Sequence, residues 1–529
     1  MRIGSTFDIL GPIMVGPSSS HTAGALRLSH LATSLCPAPV KEVGFVLYNS
    51  FATTFRGHGT DRALVAGVLG MDTDDPRIRD SFEVAREVGL SFSFTAAGDA
   101  PELHPNTVDI TLVGTDGSQT VVRGESIGGG KVHVSRINGV DVDISGRMPT
   151  LLVEHRDVPG MLARMTAELG YAGVNIAYMS SYRTEPGHTA YAVFETDTAA
   201  PADTIAAIAA QANVTSAYAV NVPGALTAPA DLQSPYDFVS GADLLALCDT
   251  HRCGIGKVMR LREVDLRGPN EVEGLMARTI RAMRDEVREP LANPLPSLGG
   301  LIGGEAQLMH ASLAGAAAIC GPSLTKAVSY ALGVLERSAA MGVIVAAPTA
   351  GSSGVVPGCL VALQEDGGFD DEGLADALYT AAAIGAIVEH AASVSGAEGG
   401  CQAEVGTASA MAAAAIVSLY GGTPRQSLTA SSLAIANLLG LVCDPVRGLV
   451  EIPCQARNAV GTANAFTAAQ MALAGIGFPI PFDEVVGAMD EVGRALPASL
   501  RETAQGGLAA CASCGGCASL ARLSDDPCA

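Results

Sequence analysis

The chain has 529 residues, too many for one ordinary core, so two to four domains are expected. A formal net charge of -22 and a pI near 4.8 repel phosphate, which argues against nucleic acid or an anionic membrane as partner and favours small-molecule chemistry. With 48% hydrophobic but only 4% aromatic residues, no Trp and 61 Gly, the apolar mass is Ala, Val, Leu and Ile, suited to closely packed helices of small residues.

The opening "MRIGSTFDILGPIMVG" lacks a basic segment followed by an apolar one, so no secretory signal is expected and the cytoplasm is the expected compartment. From residue 1 to 146, strand-like runs ("VKEVGFVLYNS", "NTVDITLV", "SQTVVRG", "KVHVSRI") mix with the helical "AGALRLSHLATSL", which reads as an α+β domain. The glycine cluster in "GESIGGGKV" falls between two strands and reads as a turn.

Residues 148–222 follow the order strand, helix, strand, strand, helix, strand, a ferredoxin-like βαββαβ pattern. Its first turn, Asp157-Val158-Pro159-Gly160, places Pro and an acid at a helix start. Together with Asn175-Ile176 before the second strand, this stretch resembles the ACT module. That resemblance implies amino-acid binding at a subunit interface, here L-serine as effector in a homodimer.

A Pro/Gly/Ala-containing linker is expected over 223–238, and from 239 to 529 Ala-rich segments with i, i+3, i+4 patterning predict a large all-α domain. The charge-free stretches Leu308 to Thr325 and Ser427 to Cys443 contain Ser, Thr, Asn, Gly or Pro and lack aromatic belts, so they read as buried helices and no membrane partner is expected.

Twelve cysteines in a cytoplasmic chain are expected to be reduced thiols, metal ligands or nucleophiles. Three of them, Cys401 in "GAEGGCQAEVG" and Cys443 and Cys454 in "GLVCDPVRGLVEIPCQARN", each lie within two residues of Gly or Pro. Tight turns there can aim backbone N–H groups at a thiolate or sulfide. Their separations, 42 and 11 residues, match no short zinc or ferredoxin motif, so spacing alone selects no metal. Taken singly, a cysteine in such a helix is a small buried hydrophobe.

The segments "EGGCQAEVG" and "CDPVRGLVEIPCQARN" resemble the iron-sulfur L-serine dehydratases. So do "GPSSSHTAG", "GHGTDRA", "GESIGGG", "APTAGSSGVVPG" and "ETAQGGLA", which run through both large regions in order. The resemblance implies conversion of L-serine to pyruvate and ammonia by a [4Fe-4S] cluster. By motif its three protein ligands are Cys401, Cys443 and Cys454, with one iron open as Lewis acid. It also implies a cysteine near the C-terminus that caps that iron, a role open to Cys514 or Cys528.

A base for the Cα proton is sought among His58 in "GHGTD" and His21 in "SSSHTAG", with His58 preferred, since imidazole suits proton abstraction near neutrality. Candidate substrate donors are Ser18, Ser19 and Ser20; Thr349, Gly351, Ser352 and Ser353; and Arg457 and Asn458. The second group is favoured because it follows the apolar "MGVIVAA" at a turn.

The chain departs from the family's pattern in its tail, "ACASCGGCASLARLSDDPCA". There Cys514 and Cys517 form a C-x-x-C pair that could bind zinc or act in redox chemistry, with Cys511 upstream. Arg447 and Thr407 also stand where smaller or Ser-like residues are expected, which bears on substrate selectivity. Two rival readings are a pyridoxal-phosphate dehydratase, for which Lys131, Lys257 and Lys326 lack the expected setting, and a non-enzymatic amino-acid sensor.

Overall fold

A computed structural model describes residues 3–98, 100–146, 148–183, 185–220, 234–315 and 318–512. The described residues form two compact units, one made by the segment up to Ser18 together with everything from Ser234 onward, the other by the stretch between.

The second unit carries two sheets. Six strands lie in the order Ser91–Gly98, Val40–Tyr48, Thr107–Gly114, Gln119–Gly128, Lys131–Ile137, Val140–Ile144, with only the first pair parallel. The glycine cluster is the expected turn: Gly128, Gly129 and Gly130 all take positive φ between two antiparallel strands.

The βαββαβ expectation holds. Strands Thr150–Arg156, Ile176–Arg183, Thr189–Thr196 and Val214–Val220 alternate with helices Met161–Tyr171 and Ala202–Ala209 in an antiparallel sheet whose edges are the second and fourth strands. One face of that sheet buries Leu151, Val153, Ala192 and Phe194 against Met161, Met165, Leu169 and Ile208 of the helices. This ferredoxin-like module and the six-stranded sheet belong to one unit, where the sequence suggested two domains.

The first unit is helical. Helix Thr407–Leu419 is buried on nearly every side, and its "ASAMAAAA" run lets helices Asp371–Ala391, Pro424–Leu438, Val355–Gly367 and Cys454–Leu473 pack around it. Among the described residues no helix is long and apolar enough to cross a membrane.

Three boundaries differ from expectation. The described residues up to Ser18 belong to the helical unit, because Arg262 and Glu263, nearly fully buried, need partners there. Arg262 donates to the carbonyls of Ile3 (2.9 Å) and Gly4 (3.1 Å), and Glu263 accepts from the Ser5 hydroxyl (2.8 Å) and the Thr6 N–H (2.9 Å). The helical region also holds a strand, Val343–Val345 of the "MGVIVAA" run, paired antiparallel with Ile13–Val15. Finally, the end of the expected linker is packed: Phe238 is buried, and Asp237 accepts from Arg262 at 2.8 Å. Residues 221–233 lie outside the described residues.

Candidate functional site

In the helical unit the three motif cysteines arrive on three different elements. Cys401 follows Gly400, whose φ of 76° turns the chain out of helix Gly396–Gly399 and into the wide turn Gln402–Gly406. Cys443 lies in the loop after helix Pro424–Leu438. It is held in ladder fashion: its N–H donates to Leu500 O (2.9 Å) and its carbonyl accepts from Glu502 N–H (2.8 Å). Cys454 is the first residue of helix Cys454–Leu473, at the positive end of the helix dipole, which favours a thiolate. All three are buried.

The Sγ atoms of Cys401 and Cys443 and a carboxylate oxygen of Glu404 lie within 4.8 Å of one another. Cys454 lies outside that trio; burial holds its thiol well above the ordinary range, and the charges of Cys401 and Glu404 push it further. Cys443 is held high by its hydrogen bond to Cys401, by burial and by Cys401's charge. Burial raises Glu404 to about 7, and burial with Glu404's charge raises Glu502 to about 8. So many acidic groups in one buried place are mutually unfavourable unless protonated or compensated by a cation, which is the chemistry of a metal centre.

Space around the centre is limited. A Cβ on Gly396 would stand 2.6 Å from Glu404 Oε2 and 3.3 Å from Cys443 Sγ, and one on Gly351 would stand 3.0 Å from Glu404 Oε1. Thr349 donates to Glu404 at 2.8 Å. Arg457, one turn after Cys454, donates to Cys401 Sγ (3.4 Å) and Val442 O (2.8 Å) and pairs with Asp444 at 2.7 Å.

The remaining candidates of this unit have structural partners. Asn458 is fully buried and uses Nδ2 on the carbonyls of Gly351 (2.8 Å) and Cys454 (2.9 Å) and Oδ1 on the N–H of Gly354 (3.1 Å), tying the "PTAGSSG" turn to the cysteine helix. Ser352 and Ser353 are likewise buried and bond within their own turn, to Thr349 (3.1 Å) and to Ala350 O (2.7 Å). Thr349 is the hydroxyl of this loop that meets the acidic centre.

Sequence reasoning missed Glu404, Asp444 and Glu502. For Glu404 a signal existed: three residues past Cys401 in a helical turn, it returns to the same side. Glu502 arrives through the Leu500–Glu502 segment, whose contact with Cys443 carried no local signal. The last described turn, Gly507–Ala510, is tied in as well, since Leu508 N–H donates to Asp444 at 2.6 Å. Cys511 is exposed, whereas Cys514, Cys517 and Cys528 lie outside the described residues.

In the other unit, three sequence motifs converge. The "SSHTAG" turn Ser19–Gly24 leads into helix Ala25–Ser34, and "GHG" precedes helix Thr60–Val68, with Gly59 at φ 64°. Ser126 of "GESIGGG" packs so closely that a Cβ on Gly24 would stand 2.0 Å from its Oγ.

Here the His21 and His58 rings lie 4.6 Å apart, both buried. His21 is held at each ring nitrogen, Nδ1 by Ser20 and Nε2 by Ser50, both at 2.9 Å. His58 accepts at its carbonyl from Thr22 (2.9 Å), but among the described residues neither of its ring nitrogens has a partner. Burial lowers His58 to about 4; burial and the charges of His58 and His104 hold His21 well below its ordinary value. Both imidazoles are therefore neutral near pH 7, the form that accepts a proton. Ser18 ends the N-terminal segment of the helical unit, while Ser19 and Ser20 begin this one.

Comparison with known proteins places these residues in context. The serine dehydratase beta chain family matches residues 5–136 and the serine dehydratase alpha chain family residues 173–509. "L-serine dehydratase TdcG" of Escherichia coli is 30% identical over 529 residues, covering 97% of this chain and all of that one. "L-serine dehydratase" of Streptomyces coelicolor is 31% identical over 524 residues, covering 96% and 98%. "Probable L-serine dehydratase, alpha chain" of Bacillus subtilis is 47% identical over 270 residues, 51% of this chain and 90% of that one.

Proposed function

The chain belongs to the serine dehydratase family, its beta-chain and alpha-chain regions joined in one polypeptide, and from that premise we infer that it is a lyase deaminating L-serine to pyruvate and ammonia. The carrying observation is the convergence of the buried Cys401 and Cys443 with the half-buried Glu404. The pyridoxal-phosphate alternative has no support in this membership, and Lys326 is engaged by Asp366 and Glu365.

We assign Cys401, Cys443 and Cys454 as ligands of a [4Fe-4S] cluster. The donor set fits: buried thiols from three elements, one at a helix N-terminus, with Arg457 donating to a sulfur. When bound, a cluster with three protein thiolates would supply one open iron as a Lewis acid for the departing β-hydroxyl. Thr349 and the Gly351 turn are our candidates for orienting the substrate's carboxylate, while Asn458, Ser352 and Ser353 hold that turn in shape. Arg457 supports the sulfurs.

For the Cα proton we assign His58, whose unpartnered neutral ring has a nitrogen ready to accept, with His21 positioning it. Loss of that proton and of the β-hydroxyl leaves aminoacrylate, which tautomerises to the imine and takes up water to release pyruvate and ammonia. Ser18, at the end of the helical unit's N-terminal segment, and Ser19 and Ser20 of the second unit remain candidate carboxylate donors. We place the protein in the cytoplasm, assign Cys514 or Cys528 as the tail's cap, and read the ferredoxin-like module as an ACT-like site for L-serine in a homodimer. Unchanged serine dependence after deletion of residues 148–222 would reject that last assignment.

The test of the main reading is an anaerobic absorbance spectrum with iron and acid-labile sulfide assays, followed by pyruvate release from L-serine on the same sample. Four irons per chain with air-sensitive turnover are expected. Turnover without iron and dependent on added pyridoxal phosphate would overturn it.

A further inference from the structure

A cavity of about 260 Å³ opens within the second unit, where the ferredoxin-like sheet meets the six-stranded one. It is smaller than the roughly 300–1,000 Å³ of drug-sized sites, which restricts an occupant to about ten heavy atoms. Alternation along Thr150–Arg156 sends Leu151 and Val153 to the helices and Leu152 and Glu154 to the opposite face, toward this cavity. Leu35, Ile137 and Leu152 make its floor apolar.

Glu154 is the one charged group that lines the cavity; no Lys, Arg or His is among the described lining residues. Burial raises its carboxyl above the ordinary range. Among the described residues its single partner is the Ser216 hydroxyl at 3.4 Å, beyond the usual length of an O–H···O bond. Tyr191, paired directly across the strand from Glu154, is buried and takes a hydrogen bond from Asn138 at 3.3 Å. A half-buried carboxylate facing a cavity with neutral hydroxyl and amide groups is stabilised by an incoming cationic donor and repels an anion.

We propose that this cavity binds a small primary ammonium compound, its N–H groups directed to Glu154 and its carbon skeleton resting on Leu152 and Ile137. Two sources share that chemistry, a free amine and the ammonium of an amino acid whose carboxylate stays at the solvent-facing mouth. The proposal does not depend on the reaction assigned above.

The test is isothermal titration of the full-length protein with ethanolamine, with L-alanine, which lacks the β-hydroxyl, and with glycolate, which lacks the ammonium. Saturable binding of ethanolamine, weakened at least tenfold by Glu154→Gln, is expected. Ser216→Ala keeps the carboxylate and should bind at least as tightly, which holds the test open if Glu154→Gln fails to fold. Parallel loss of L-alanine binding in Glu154→Gln would extend the site to amino acids, and binding of ethanolamine alone would restrict it to amines. Absence of saturable heat with both ammonium probes up to about 10 mM, glycolate binding as tight as ethanolamine, or ethanolamine affinity unchanged in Glu154→Gln or lost in Ser216→Ala would overturn the proposal.

Discussion

Glu451 stands three residues before Cys454 and is almost fully buried, so its charge depends entirely on partners. Among the described residues its side chain has three: the Ser297 hydroxyl (2.7 Å), the Gly299 N–H (2.8 Å) and the Leu301 N–H (3.0 Å). One carboxylate thus fastens the 297–301 loop to the start of the cysteine helix. Glu451→Ala removes all three acceptor contacts and strands two half-buried backbone donors and the buried Ser297 hydroxyl, each worth about 1–3 kcal/mol at most. Allowing for relaxation and water penetration, a loss of about 4 kcal/mol is expected. At roughly 2 °C per kcal/mol for a unit of this size, the melting midpoint should fall by about 8 °C. Glu451→Gln keeps one acceptor oxygen and should lose about half as much. The assay is thermal unfolding by circular dichroism, with a double-mutant cycle through Ser297→Ala. If Ser297 acts through Glu451, its substitution should be about 1–2 kcal/mol less damaging in the Glu451→Ala background. Strictly additive effects, or a Glu451→Ala midpoint within about 2 °C of wild type, would refute the reasoning.

Substituting Ser for any of Cys401, Cys443 or Cys454 should abolish iron retention in anaerobic iron and sulfide assays together with pyruvate formation; full iron content in one variant would remove that residue from the ligand set. His58→Asn should lower kcat by about 10²–10⁴-fold with bound iron unchanged, whereas a mild effect there and a severe one in His21→Asn would reverse their assigned roles. His58 titrates near 4 when folded and near 6.5 when unfolded, so the unfolded chain binds the extra proton between those values. Stability from this group is therefore complete above about pH 6.5 and lost as pH falls toward 4, by about 3 kcal/mol; urea titrations across that window should show a shallower loss in His58→Gln. Gly396→Ala places a methyl against Glu404 and Cys443, and iron content should fall before helicity does; wild-type iron loading in that variant would contradict the packing seen at the centre.

Local pattern was legible wherever the chemistry is local. The short apolar, strand-like runs from Thr150 to Arg156 and from Thr189 to Thr196, separated by helical runs and turn residues, are sufficient to order the βαββαβ module. The glycine turn at Gly128–Gly130 and the Ala-rich helical region could be read the same way. The cysteines were legible only as motif, since their spacing alone selected no metal.

Other features became visible only with the fold, because each joins residues far apart in the chain. Arg262 and Glu263 draw the first residues into the helical unit across more than 250 positions, and nothing in "MRIGSTFDIL" announces a buried ion pair waiting for its backbone. Thr349 meets Glu404 across 55 residues and Ser50 meets His21 across 29. Two histidines equivalent as sequence become different as structure, one held at both nitrogens and one, among the described residues, held at neither. The sequence by itself thus determined which elements form and which thiols and imidazoles are present. Tertiary structure decided which of them are buried together, and burial is what makes an unpaired carboxylate, thiol or imidazole costly enough to require a particular partner.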